Sequence, residues 1–140
     1  MTQTSNYSKF ETELSVRPDD IDMNNHVHFS KYLDYVLAAR YDQLKRYYKM
    51  SMDEFLENGL SWVVKECKVE YKRPLLLGDT MIVRTWIAEV ESTSANVAFE
   101  IIKKSTKKTC AIGVFKYTLI NTSNGRAEKI PPKVIEKYSI

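Results

Sequence analysis

Residues 19–29 read Asp19-Asp20-Ile21-Asp22-Met23-Asn24-Asn25-His26-Val27-His28-Phe29, and they hold both histidines of the 140-residue chain. A carboxylate such as Asp22 can activate a water or attack an electrophilic carbon itself. A histidine, here His26 four residues on, can pass a proton either way. Asn24 offers an uncharged donor and acceptor with which to hold a water or a carbonyl. The amides at the start of the following helix, around Phe29 to Tyr32, are free of intrahelical partners and suit a developing oxyanion. Together these are the parts of an acyl-transfer or acyl-hydrolysis site.

Two other readings of the same residues stand beside that one. Asp and Asn are the usual turn formers, so the segment can be a turn followed by a cap, with the histidines as polar filler. His26-x-His28 with Asp20 or Asp22 also supplies nitrogen and oxygen donors of the kind that bind metals.

The segment sits between two periodicities. Phe10, Leu14 and Val16 alternate with Glu11, Glu13, Ser15 and Arg17, which predicts a strand stopped by Pro18. From Ser30 the spacing of Leu33, Val36, Leu37, Leu44, Tyr47 and Tyr48 predicts a helix of about 20 residues, capped by Ser30 and closed by Lys45, Arg46 and Lys49. A short helix is expected at Met52 to Glu57, before Asn58-Gly59. Strands follow: around Val63 to Tyr71, stopped by Arg73-Pro74; Met81 to Glu91 after Gly78-Asp79; Ala95 to Lys103; and Thr109 to Ile120, ended near Asn124-Gly125. Pro131-Pro132 opens a last helix reaching Tyr138. One long helix and about five antiparallel strands make an α+β pattern, a curled sheet around a helix, in a single domain over residues 1–140.

Composition excludes several classes. With 21 basic and 18 acidic residues the net charge is only +3, which does not point to nucleic acid. No apolar run approaches the roughly 20 residues of a membrane span, and the first residues lack a secretory apolar core. Cys67 and Cys110 read as reduced thiols, consistent with a cytoplasmic protein.

Residues 16–40, VRPDDIDMNNHVHFSKYLDYVLAAR, resemble the D-x-N-x-H-V-N-x-x-x-Y-(L/I) signature of acyl-ACP thioesterases and the E/D-x-D loop of the 4-hydroxybenzoyl-CoA thioesterase group. Arg73-Pro74, Gly78-Asp79, Gly125-Arg126 and Ile130-Pro131 fall in the same order, so the likeness covers nearly the whole chain. It implies the hot-dog fold and thioester hydrolysis without metal or cofactor. Asp22 matches the catalytic aspartate of the hydroxybenzoyl-CoA type; Asp22, Asn24 and His26 match the Asp, Asn and His of the acyl-ACP type. The resemblance implies acyl-CoA or acyl carrier protein as substrate and a homodimer or homotetramer with the site between protomers. One position departs: His28 stands where the family writes Asn.

Around the loop, Phe29, Tyr32, Arg73, Lys103 and Lys104 are candidate substrate contacts. The lysines can equally form a solvated hairpin tip, with Lys107 and Lys108. Tyr32, Tyr35, Tyr47, Tyr48, Trp62 and Trp86 are expected in core and interface rather than in an acyl tunnel. The competing functional reading is a hot-dog protein that binds acyl-CoA or acyl groups without turnover; Asp22 argues for the enzyme, since a binder has no need of the carboxylate.

Overall fold

A computed structural model describes residues 3–4 and 7–138. The strands are β1 (Gln3–Thr4), β2 (Phe10–Ser15), β3 (Leu60–Tyr71), β4 (Thr80–Val90), β5 (Ser94–Lys103) and β6 (Lys108–Asn121). The helices are α1 (Tyr32–Arg46), α2 (Met52–Glu57) and α3 (Pro132–Tyr138). All strand pairs are antiparallel, in the order β1-β4-β5-β6-β3, with β2 alongside β1 on the same edge of β4. The five long strands and the long helix are those that the sequence periodicities predict. The two-residue β1 is additional; a segment that short carries no periodicity to read.

Three irregularities in register interrupt the ladders, at Lys65, Ala88 and Cys110. An extra residue on one strand bends and twists the pair, and this curls the sheet around α1. Among the described residues no helix is long and apolar enough to cross a membrane.

Helix α1 is shorter than its pattern predicts. It has 15 residues, about 22 Å of axis, and it follows a separate 3-10 turn at Phe29–Lys31. Ser30 is therefore not its N-cap. The His28 ring caps the preceding turn instead, with Nδ1 accepting from the Ser30 amide (3.3 Å) and lying 2.8 Å from Ser30 Oγ. An accepting Nδ1 places the proton of the neutral ring on Nε2. At the far end, Lys49 adopts φ 58° and the Met50 amide returns to the Leu44 carbonyl (3.0 Å), the left-handed stop that a helix needs to satisfy its last carbonyls.

The inward stripe of α1, including Tyr32, Tyr35, Val36, Ala39, Gln43 and Leu44, is buried. One half packs with Val83, Phe99, Ile101 and Phe115; Leu44 joins Tyr48, Phe55, Leu119, Ile130 and Tyr138 in the other. A polar clamp fixes the helix against the sheet. Gln43, fully buried, donates to Thr12 Oγ1 (3.0 Å) and the Val83 carbonyl (3.3 Å), and accepts from Thr85 Oγ1. Thr12 in turn donates to Asp42 (2.7 Å). A buried amide with donors and acceptors all matched permits one depth and one rotation of the helix. Of the aromatic set, Tyr32, Tyr35 and Tyr48 lie in the core. Tyr47 stacks on Phe10 at 4.3 Å, and Trp86 meets the Lys9 ammonium at 4.4 Å.

Candidate active site

The loop between β2 and α1 is anchored on both sides. Ile21 pairs with Val27, so residues 22–26 form a tight reversal, and His26 pairs with Leu76 in the β3–β4 connection. The Val27 amide donates to the Leu75 carbonyl (2.8 Å), and Val27 and Leu75 are both buried. The His28 amide donates to the Asp20 carbonyl (2.9 Å). A stretch full of exposed polar side chains is thus held by a few apolar and backbone contacts.

Asp20 supplies the strongest of these anchors. Its side chain is only 3% exposed, and a buried carboxylate must be paired or hydrogen-bonded. The Tyr35 hydroxyl donates to its Oδ2 (2.6 Å) and Arg17 Nε reaches the same oxygen (2.8 Å). Tyr35 Oη also accepts from the Arg17 amide (3.1 Å). One residue of α1 thereby binds both ends of the strand-to-loop corner. The Tyr35 hydrogen bond above all, then Arg17, hold the Asp20 carboxyl below the usual carboxylate range in spite of its burial.

Asp22 works differently. Its Oδ1 accepts from the amides of Asn24 (2.8 Å) and His26 (3.1 Å), which closes the reversal, while Asn25 takes φ 63°. The turn reading of this segment is therefore correct as far as it goes. Among the described residues, however, Oδ2 accepts no hydrogen bond. The two amides, that of Asn24 first, hold the Asp22 carboxyl below its ordinary value, so it is ionised at neutral pH. The residue is a turn former on one oxygen and a free anion on the other.

Asp22, His26, Val27, His28, Phe29, Tyr32, Tyr71, Lys72, Arg73 and Pro74 line an open cleft of about 430 Å³. Of the positions singled out in the sequence, Asp22, His26, Phe29, Tyr32 and Arg73 come together here. The Asn24 side chain is exposed and outside the cleft; its contribution is the backbone bond to Asp22. Lys103 and Lys104 also stand outside it, Lys103 Nζ lying 3.1 Å from Asp79 and Lys104 Nζ 2.6 Å from Glu13. Asp20 is turned to Tyr35, and among the described residues no three His, Cys, Asp or Glu side chains gather as a metal site.

The helix entrance offers fewer amides than its sequence suggests. Those of Ser30, Lys31 and Tyr32 go to His28 Nδ1, the His28 carbonyl and the Phe29 carbonyl. The Phe29 amide has no acceptor among the described residues. Phe29 itself is held in place: its carbonyl accepts from Tyr71 Oη (3.0 Å), and its ring stacks on His28 at 4.7 Å. Tyr32 Oη accepts from the Leu75 amide (3.0 Å) and its ring meets Tyr71 edge-on at 5.0 Å.

Tyr71 and Lys72 were not foreseen as site residues, and neither was the role of Tyr35. Tyr71 and Lys72 arrive because the Cys110 carbonyl, at the irregularity in β6, accepts both the Lys72 (2.7 Å) and Arg73 (3.1 Å) amides. Nothing local in the sequence shows that. The nearest signal is Pro74, which ends the strand where these residues must leave the sheet.

The lowered carboxyl of Asp20 gives a signed prediction. A group whose folded value is depressed stabilises the fold above its unfolded value, and loses that contribution as pH falls through the folded value. Tyr35→Phe removes the larger cause of the depression. The melting temperature of the variant is expected to trail wild type most at about pH 6 and distinctly less at about pH 3, below the ordinary Asp value. A gap independent of pH would show that Tyr35 acts by packing alone.

Comparison with known proteins agrees with the fold. The chain is 21% identical over 127 residues to the long-chain acyl-CoA thioesterase FadM of Escherichia coli, spanning 91% of this chain and 95% of that protein. The DHNA-CoA thioesterase of Staphylococcus aureus superposes with TM-score 0.87 at 19% identity, over 94% of this chain and 89% of the other. The hypothetical protein SAV2348 of Staphylococcus aureus, solved in complex with CoA, superposes with TM-score 0.84 at 18% identity, over 96% and 84%. A family model described as the thioesterase-like superfamily matches residues 16–138. With a curled antiparallel sheet around one long helix and that match over most of its length, the chain is a hot-dog protein and belongs to the thioesterase-like superfamily.

Proposed function

We propose that the protein hydrolyses acyl-CoA thioesters in the cleft beside Asp22. The observation that carries the reading is the split use of this ionised carboxylate: Oδ1 is bound into the turn, while Oδ2, on the wall of a cleft, accepts no hydrogen bond among the described residues. The thioester carbonyl oxygen takes the Phe29 amide, the unspent donor at the helix entrance. Asp22 Oδ2 removes a proton from water as the water oxygen attacks the carbonyl carbon, or attacks that carbon itself and is released by water in a second step. Collapse of the tetrahedral oxyanion breaks the C–S bond, and the thiolate takes a proton from His26 or from solvent. The products are a carboxylate and a thiol. Arg73, which among the described residues has no carboxylate partner, puts positive charge at the cleft, as phosphates of the CoA moiety require, while Lys72 beside it pairs with Glu70 (2.7 Å). FadM and the DHNA-CoA enzyme, both named for CoA thioesters, support that donor over a carrier protein.

The reading includes a homodimer. Among the described residues β3 pairs only with β6, and its middle stretch, from Val64 to Lys68, is exposed. Beside that open edge, Leu37 (42%), Tyr41 (47%) and Val64 (43%) remain exposed. An unpaired edge beside an apolar surface is what a second copy would cover, in the self-complementary manner of a two-fold interface.

Asp22→Asn separates the two jobs of the residue. The amide oxygen still accepts from residues 24 and 26, so the loop persists and the melting temperature falls only slightly, whereas the charge is lost. Thiol release from a panel of short, long and aromatic acyl-CoAs is expected to fall by at least about a hundredfold. Equal rates would remove Asp22 from the reaction. Saturable acyl-CoA binding without thiol release would leave the non-catalytic binder, and turnover only with carrier-linked thioesters would change the donor. Light scattering on the active fraction is expected to give twice the chain mass; a stable monomer with full turnover would contradict the interface.

A further inference from the structure

Phe29 is held in a way that its side chain does not explain. The ring is 65% exposed, so burial gives little reason to fix the residue. Yet both of its peptide groups are tied down. The Phe29 carbonyl accepts from the Tyr32 amide and from Tyr71 Oη (3.0 Å), a hydroxyl 42 positions away at the end of β3. The N–H of that same peptide, the Ser30 amide, donates to His28 Nδ1 (3.3 Å). The preceding peptide is held by the His28 carbonyl, which accepts from the Lys31 amide (2.9 Å).

A peptide group is planar, so fixing its carbonyl also fixes the direction of the N–H opposite. Of the four polar atoms in these two groups three are engaged. Among the described residues the fourth, the Phe29 N–H, has no acceptor, and Phe29 lines the Asp22 cleft. A donor for a developing oxyanion is effective when its direction is set before the charge appears, and misplacing it costs rate rather than binding.

We propose that Tyr71 is a positioning residue for thioester hydrolysis: its hydroxyl, with the His28 ring at the other end of the same peptide, aims the Phe29 amide at the oxyanion. The inference rests on the hydrolysis proposed above. It goes further by making a residue of β3, which takes no part in bond making, a determinant of the rate.

Tyr71→Phe keeps the ring and its edge contacts with Phe29 and Tyr32 and removes only the hydroxyl. The Phe29 carbonyl then turns to water, so the melting temperature is expected to stay close to wild type. For acyl-CoA hydrolysis kcat is expected to fall at least about tenfold, with KM within about twofold of wild type. His28→Ala is expected to lower kcat likewise, and His28→Asn, whose amide oxygen can accept the same bond, to recover most of it. Because both side chains hold one peptide, the double variant Tyr71→Phe/His28→Ala is expected to lose less than the product of the single losses. Phe29→Pro removes the amide itself, and the backbone suits it: His28 already has φ -59° and ψ 136°, as a residue before proline does. Relative to Phe29→Ala, which controls for the ring, it is expected to lose at least about a hundredfold in kcat.

Full kcat in Tyr71→Phe, beside collapse in Asp22→Asn, overturns the positioning role and leaves the thioesterase reading standing. A loss confined to KM, or multiplicative losses in the double variant, does the same. Equal activity of Phe29→Pro and Phe29→Ala removes the donor and the inference with it, again without touching Asp22. Absence of thiol release by wild type from every acyl-CoA fails the reading beneath the inference, and the inference falls with it.

Discussion

The arrangement of the loop between β2 and α1 rests on the need of one buried carboxylate for partners. Asp20 is withdrawn from water at the corner where β2 gives way to the loop, and it persists there because Tyr35 and Arg17 satisfy the same oxygen. The Tyr35 bond is the consequential one, because it comes from α1. It fixes the corner to the helix, and the helix is fixed to the sheet by the buried Gln43. From that chain of contacts the next residues inherit their places. Asp22 begins a reversal whose far end is pinned by the Asp20 carbonyl and by Leu75 and Leu76.

The loop also resolves a competition between structure and chemistry within single residues. A turn needs side-chain acceptors for its amides, and a hydrolytic site needs a carboxylate with an oxygen to spare. In the proposed reaction Asp22 serves both, because a carboxylate has two oxygens and the turn consumes only one. His28 is occupied in a similar way: its Nδ1 caps the 3-10 turn and its ring supports Phe29. Three of the four amides at the helix entrance are spent locally, and among the described residues the Phe29 amide has no acceptor, which is why the proposed reaction uses it as the donor for a developing oxyanion.

Much of this was legible in the sequence, because the relevant signals are local. Alternation in Phe10–Ser15 and the four later strands, the helical stripe from Leu33 to Tyr48, and the crowding of Asp, Asn and His in residues 19–29 all depend on neighbours a few positions apart. What was missed depends on partners far apart. The pairing of Tyr35 with Asp20, the delivery of Tyr71 and Lys72 by a β6 irregularity, and the ion pairs that engage Lys103 and Lys104 all need the sheet order. The helix start was misplaced because Ser30 is a good cap by type, whereas the His28 ring reached the free amide first. Asn24 fits the family pattern, yet in this structure its visible contribution is a backbone amide.

The most direct test of the account is a crystal structure of the protein with an acyl-CoA analogue in which the thioester sulfur is replaced by methylene. The reacting carbon is expected within about 3–3.5 Å of Asp22 Oδ2, or of a water bonded to it, with the carbonyl oxygen on the Phe29 amide. A carbonyl that points away from Phe29, with Asp22 screened from the reacting carbon, would contradict the assignment of this loop as the site of hydrolysis.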